Sequence, residues 1–123
     1  MGRRILLVDD EPYILRILSF KLRREGFITF EAQSAEDAEQ VLSEQEIDLM
    51  LLDVALASST NGFDLAAKLR ASAPTRELPI IMLTARDLES DVLRGHEIGA
   101  AGYITKPFST TEVIDRVRSL LEP

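Results

Sequence analysis

Asp9 and Asp10, then Asp53, then Thr84, then Lys106 followed by Pro107 each stand at the end of a short hydrophobic run. Carboxylates, a hydroxyl and an ammonium brought to one place suit the movement of a phosphoryl group onto a carboxylate. That chemistry asks mainly for positioning and charge stabilisation. Asp9, Asp10 and Asp53 would crowd negative charge so closely that a divalent cation is needed to hold them together, and hard oxygen ligands suit Mg²⁺. Taken singly, each residue has a plain structural use. Asp9 and Asp10 could open a helix, Thr84 could cap one, and Lys106-Pro107 could simply stop a strand. Only the joint pattern points to a pocket, and the pocket exists only if the four runs are neighbouring parallel strands.

The elements needed to position them are legible in the hydrophobic pattern. Ile5 to Val8 reads as a strand buried on both faces, and from Pro12 the residues Ile14, Leu15, Leu18 and Leu22 form one helical stripe ending at Gly26. Phe27 to Phe30 reads as a second strand. Ser34 with Asp37 resembles a capping box that opens a helix carrying Ala35, Ala38, Val41 and Leu42. Asp48 to Leu52 is the third strand, and helical spacing returns from Gly62 through Phe63, Leu65, Ala66 and Leu69. Ile80 to Leu83 is the fourth strand, a helix is expected over roughly Asp87 to Ile98, and Gly102 to Thr105 is the fifth strand. A last helix holds Val113, Ile114, Val117, Leu120 and Leu121, capped by Ser109 or Thr110. Alternation of this kind predicts an α/β fold, a doubly wound five-stranded parallel sheet with five helices. Ligands of such sheets sit beyond the carboxyl ends of the strands, which is where the chemical residues lie.

The bulk numbers limit the function classes. A chain of 123 residues, 46% hydrophobic, is the size of one domain with material for a layered core. Its net charge of −7 argues against gripping a phosphate backbone, so direct nucleic-acid binding by this domain is not expected. There is no cysteine, which is compatible with a cytoplasmic location. The apolar run Ile5 to Val8 is too short for a membrane span. His96, the one histidine, has no second ligand at metal spacing.

Four stretches together resemble the receiver domains of two-component response regulators. They are Leu7-Val8-Asp9-Asp10-Glu11-Pro12, Leu51-Leu52-Asp53-Val54, Ile81-Met82-Leu83-Thr84-Ala85, and Gly99-Ala100-Ala101-Gly102-Tyr103-Ile104-Thr105-Lys106-Pro107-Phe108. The resemblance covers the whole chain, 1–123, as a single receiver domain, and it implies the flavodoxin-like strand order 2-1-3-4-5 for the sheet. It implies that Asp53 is the phosphoacceptor, charged by a sensor histidine kinase, a phosphotransfer protein or a small phosphodonor. It also implies Mg²⁺ on Asp10, Asp53 and the backbone carbonyl of Ala55, with Asp9 acting through water. Lys106 and Thr84 would contact the phosphoryl group, and the backbone amides of Ala55 and Ala85 would donate to it. Thr84 and Tyr103 would form a coupled switch toward an output domain or effector on the face of the fourth helix, fifth strand and fifth helix. Lys106-Pro107 is a candidate cis peptide.

The chain departs from the family pattern in its third loop. Ala57 stands near a usual proline and Gly62 lies nine positions beyond Asp53, so the loop is expected to be one residue longer and more mobile. Ala100, Ala101 and Gly102 stand where one dimerising subclass has acidic residues, which counts against that particular phosphorylation-dependent dimer and leaves another open. The module is expected to be no enzyme beyond its own phosphorylation and dephosphorylation. An aspartyl-phosphate hydrolase would want a second acid close after Asp53, where Val54-Ala55 supplies none. A docking module with a vestigial pocket is the other rival, and the complete set of acids, hydroxyl and lysine argues against it. A dinucleotide site is disfavoured because the first strand-to-helix turn is not glycine-rich. An effector domain could equally have been cut away after Pro123 or never have been attached.

Overall fold

The computed structural model describes residues 2–56, 60–85, 93–94 and 96–122. Five strands, β1 Arg4–Val8, β2 Ile28–Ala32, β3 Leu49–Asp53, β4 Ile80–Thr84 and β5 Gly102–Thr105, form one sheet in the order β2-β1-β3-β4-β5. All four neighbouring pairs are parallel. Among the described residues there are four α-helices, α1 Pro12–Arg24, α2 Ala35–Glu44, α3 Gly62–Arg70 and α4 Thr110–Leu121, with a 3-10 turn at Ala73–Thr75. Five helices were expected. Of the one read over roughly 87–98, Leu93, Arg94, His96 and Glu97 are helical, while 86–92 and 95 lie outside the described residues. Residues 57–59 of the third loop lie outside them too, and with them the expectation of a more mobile loop.

The alternation of strand side chains decides which helix covers which face. Ile5, Leu7, Leu49, Leu51, Ile81, Leu83 and Ile104 pack with Leu15, Leu18 and Leu22 of α1 and Val113, Val117 and Leu121 of α4. The intervening residues Leu6, Val8, Met50, Leu52, Ile80 and Met82 pack on the other side with Ala35 and Ala38 of α2 and Phe63, Leu65 and Leu69 of α3. Each such buried aliphatic side chain contributes roughly 1.5–3 kcal/mol relative to exposure. A doubly covered sheet therefore holds its strand ends in fixed register, which a pocket at that edge requires.

Several strand boundaries differ by one or two residues from the sequence expectation, among them the start of β2 and the end of β3. The second strand begins at Ile28, because Phe27 is committed to the end of α1. Its N–H donates to Leu22 O at 3.0 Å while the Gly26 N–H donates to Arg23 O at 3.0 Å. This is a Schellman closure, and Gly26 adopts the left-handed conformation it needs, with φ at 96°. The third strand runs one residue further than expected, to Asp53, whose partner in the ladder is Leu83.

Helix α3 starts directly on the backbone that carries Asp53. The Gly62 N–H donates to Val54 O at 2.9 Å, and a Cβ on Gly62 would stand 2.1 Å from the Asp53 carbonyl oxygen and 2.8 Å from Val54 Cα. Backbone cannot swing aside as a side chain can. Gly62→Ala is therefore expected to destabilise the protein by about 3 kcal/mol, at the upper end for overpacking, with a lowered urea midpoint and an unchanged slope as the readout.

Candidate functional site

The parallel register gathers the polar strand ends at one edge. Val8 pairs with Leu52, Asp53 with Leu83, and Thr84 with Thr105, so the residues that follow or end these strands lie side by side. Backbone bonds past the ladder fix them further. Asp9 N–H donates to Ala32 O at 3.1 Å, Val54 N–H to Leu83 O at 2.8 Å, and Lys106 N–H to Thr84 O. Asp9, Asp53 and Thr84 are buried, and Asp10 is partly exposed at the rim. The Lys106–Pro107 peptide is cis.

Lys106 is the hub. Its ammonium donates to Asp9 Oδ2 at 2.7 Å, Glu11 Oε1 at 3.2 Å and Asp53 Oδ2 at 3.4 Å. Asp9 Oδ1 accepts the Glu11 N–H at 2.9 Å, and Asp53 Oδ1 accepts the Ala55 N–H at 3.1 Å. Burial raises the pKa of Asp53, the charge of Asp9 raises it further, and Lys106 and the Ala55 amide offset part of this. Burial alone would discourage the Lys106 ammonium. The hydrogen bond to Asp9 and the charges of Asp53 and Asp9 outweigh that and hold its pKa well above the ordinary value, so it stays a cation.

One carboxylate oxygen from each of Asp9, Asp10 and Asp53 lies within 4.8 Å of the other two. Lys106 supplies a single positive charge against this cluster and Glu11. A hard, oxygen-preferring dication fits both the donor set and the surplus of negative charge.

The structure thus brings Asp9, Asp10, Asp53 and Lys106 together, with Thr84 ending the adjacent β4. Ala55 and Ala85 flank the edge as exposed residues. Tyr103 lies one strand over, partly buried against the cluster that holds Met82, and it pairs with Met82 in the ladder. His96 is exposed and takes no part. Sequence reasoning did not foresee Glu11 as a partner of Lys106, nor Tyr13, whose hydroxyl donates to Glu11 Oε2 at 2.9 Å. That bond and Lys106 hold the Glu11 pKa below the usual carboxylate range, while Glu11 raises that of Tyr13. The signal was available in the third consecutive acid, Glu11, placed where α1 begins.

A doubly wound parallel sheet with a carboxylate cluster and a lysine at its C-terminal edge defines a receiver-type signalling module. Residues 5–118 match the response regulator receiver domain family, and the chain belongs to that family. Among solved structures, it is similar to a putative response regulator from Chloroflexus aurantiacus, at 33% identity over 100% of both chains and a TM-score of 0.92. It is likewise similar to the non-phosphorylated receiver domain of HemR from Leptospira biflexa, at 33% identity over 99% of this chain and 96% of that one, TM-score 0.90. The receiver domain of sensor histidine kinase PA1611 from Pseudomonas aeruginosa, solved with a magnesium ion in its active-site cleft, is 28% identical over 100% of both chains, TM-score 0.88. Receiver domains are signalling modules of two-component systems, take phosphoryl groups from sensor histidine kinases and bind Mg²⁺ in their acidic pocket. Among the described residues no helix is long and apolar enough to cross a membrane.

Proposed function

We propose that the chain is one receiver domain over 1–123 and that Asp53 is its phosphoacceptor. The observation that carries this reading is a buried carboxylate at the end of the central β3, with a permanently charged Lys106 ammonium 3.4 Å away. In the transfer, an Asp53 oxygen attacks phosphorus in line. The P–N bond to the kinase histidine breaks, and its electron pair leaves with the imidazole nitrogen. Asp10, Asp53 and the Ala55 carbonyl would hold Mg²⁺, with Asp9 acting through water. When bound, Mg²⁺ supplies positive charge to the phosphoryl oxygens.

Lys106 neutralises the transferred group as a point charge. The Thr84 hydroxyl and the amides of Ala55 and Ala85 donate hydrogen bonds to it. Thr84 moving toward the phosphoryl group, coupled to a Tyr103 rotation, would bias the face of β5 and α4 toward an output domain or effector, a population shift driven by contacts that only the phosphorylated state makes. Phosphorylation-dependent dimerisation through this face is a further form of output. The donor is a cytoplasmic sensor histidine kinase or phosphotransfer protein.

Intact mass after incubation with phosphoramidate and Mg²⁺ tests the assignment. One added phosphoryl group is expected in the parent and none with Asp53→Asn or a chelator. A parent that gains no mass from the small donor or from a histidine kinase would favour a docking module whose pocket does no chemistry.

A further inference from the structure

One of the three carboxylates on Lys106 lies outside the aspartate cluster. Glu11 is the N-cap residue of α1, yet its side chain makes no capping hydrogen bond. An acid at a helix start ordinarily leans on the first N–H groups. Here it turns away from them: Oε1 accepts from Lys106 at 3.2 Å and Oε2 from the Tyr13 hydroxyl at 2.9 Å. Two side chains hold the carboxylate in one orientation.

A lysine ammonium has three N–H donors. Asp9, Glu11 and Asp53 lie at 2.7, 3.2 and 3.4 Å from it, so an incoming phosphoryl oxygen finds every donor already directed at a carboxylate. One contact has to yield. Asp9 is closest and its side chain is 1% exposed, so losing its counter-ion would strand a buried charge. Asp53 is the group being modified. The Glu11 side chain is 42% exposed, and water can take over its solvation when Lys106 leaves. Glu11 is thus the acceptor most readily displaced.

We propose that Glu11, oriented by Tyr13, is a positioning residue that occupies Lys106 until a phosphoryl group arrives, and thereby sets how tightly the site retains that group. This rests on the receiver reading above and deepens it. Neutralising Glu11 releases the ammonium and removes a negative charge from the anion's approach, so phosphoryl retention rises. Without the Tyr13 hydroxyl the carboxylate loses its fixed orientation and competes less well.

Beryllofluoride, an anion that mimics a phosphoryl group on a carboxylate, reads this directly by ¹⁹F NMR titration with Mg²⁺ in excess. Glu11→Gln is expected to bind it about fivefold more tightly than the parent, the scale of a partly exposed ion pair. Tyr13→Phe is expected to shift affinity less in the same direction and to add nothing on top of Glu11→Gln. Raising the salt concentration is expected to shrink the difference between parent and Glu11→Gln, which a purely structural role for the residue would not produce. Equal or weaker binding by Glu11→Gln, with the parent binding well, removes the role of Glu11 and leaves the acceptor site standing. A Tyr13→Phe effect that persists in full beside Glu11→Gln overturns the orienting role of Tyr13. A parent that does not bind the anion overturns the acceptor reading itself and this proposal with it.

Discussion

Asp53→Asn is expected to lose all phosphoryl uptake and yet to unfold at a higher temperature than the parent. Both effects come from one carboxylate. The amide offers no nucleophilic anion, so no acyl phosphate forms. The same ionised group is buried beside Asp9, and burial and that charge together raise its pKa. A carboxyl whose pKa is raised by folding stabilises the native state while protonated. That contribution is fully present below the pKa of the unfolded carboxyl and is lost as pH rises through the raised folded value. Near neutral pH the parent therefore carries the penalty of an ionised Asp53, which the variant lacks. A gain of about 1 kcal/mol is expected, the usual scale when an active-site compromise is removed. It should be present near neutral pH, fade as pH falls through the raised value of Asp53, and be gone once pH reaches the ordinary carboxylate range. Thermal melts of both proteins across that pH range, without Mg²⁺, check the sign. A less stable Asp53→Asn at neutral pH would mean that Asp53 contributes more by holding Lys106 than it costs by repelling Asp9.

Lys106→Met should act in the opposite sense on stability and in the same sense on chemistry. Asp9 has a side chain 1% exposed, and its Oδ2 accepts a hydrogen bond from the Lys106 ammonium at 2.7 Å. Removing the ammonium leaves that carboxylate buried beside Asp53 without the cation that faced it, and breaking a buried pair in this way costs about 3–5 kcal/mol. Phosphoryl uptake from a small donor is expected to fall by about 10²–10³-fold, as for loss of one preorganised charge-stabilising donor. The two substitutions are not additive. With Asp53 already replaced by Asn, fewer charges depend on Lys106, so its loss should destabilise less, and a double-mutant cycle in urea reads the coupling. Equal penalties in both backgrounds would place the role of Lys106 with Asp9 and Glu11 alone.

The sequence by itself carried most of what is general about this protein. Continuous apolar runs such as Ile5 to Val8 and Ile80 to Leu83 must be buried on both faces, which calls for helices on both sides of a parallel sheet. In such a sheet the strand ends share one edge, so Asp9, Asp53, Thr84 and Lys106 could be assigned to one pocket from chain order alone. Local signals were equally direct: Ser34 and Ser109 accept from the N–H groups of Asp37 and Glu112 because a helix start leaves those donors open. The helix expected over 87–98 is only partly represented among the described residues.

Which partner each polar group takes was decided only in three dimensions. Lys106 and Asp9 are 97 positions apart, and nothing local says that the ammonium lies closer to Asp9 than to Asp53. The sequence reading placed Asp9 near Mg²⁺ through water; that its carboxylate is also buried against Lys106 emerges only on folding. The placement of Gly62 on the Asp53 carbonyl likewise depends on how α3 docks on the end of β3. The Glu11–Tyr13 contact depends on which rotamer a side chain near a helix start adopts once Lys106 is beside it. Periodicity and strand order are properties of the backbone and its solvent, which a linear pattern records. Differences of a fraction of an ångström among three carboxylates around one ammonium are set by packing from several elements at once, and those exist only in the folded chain.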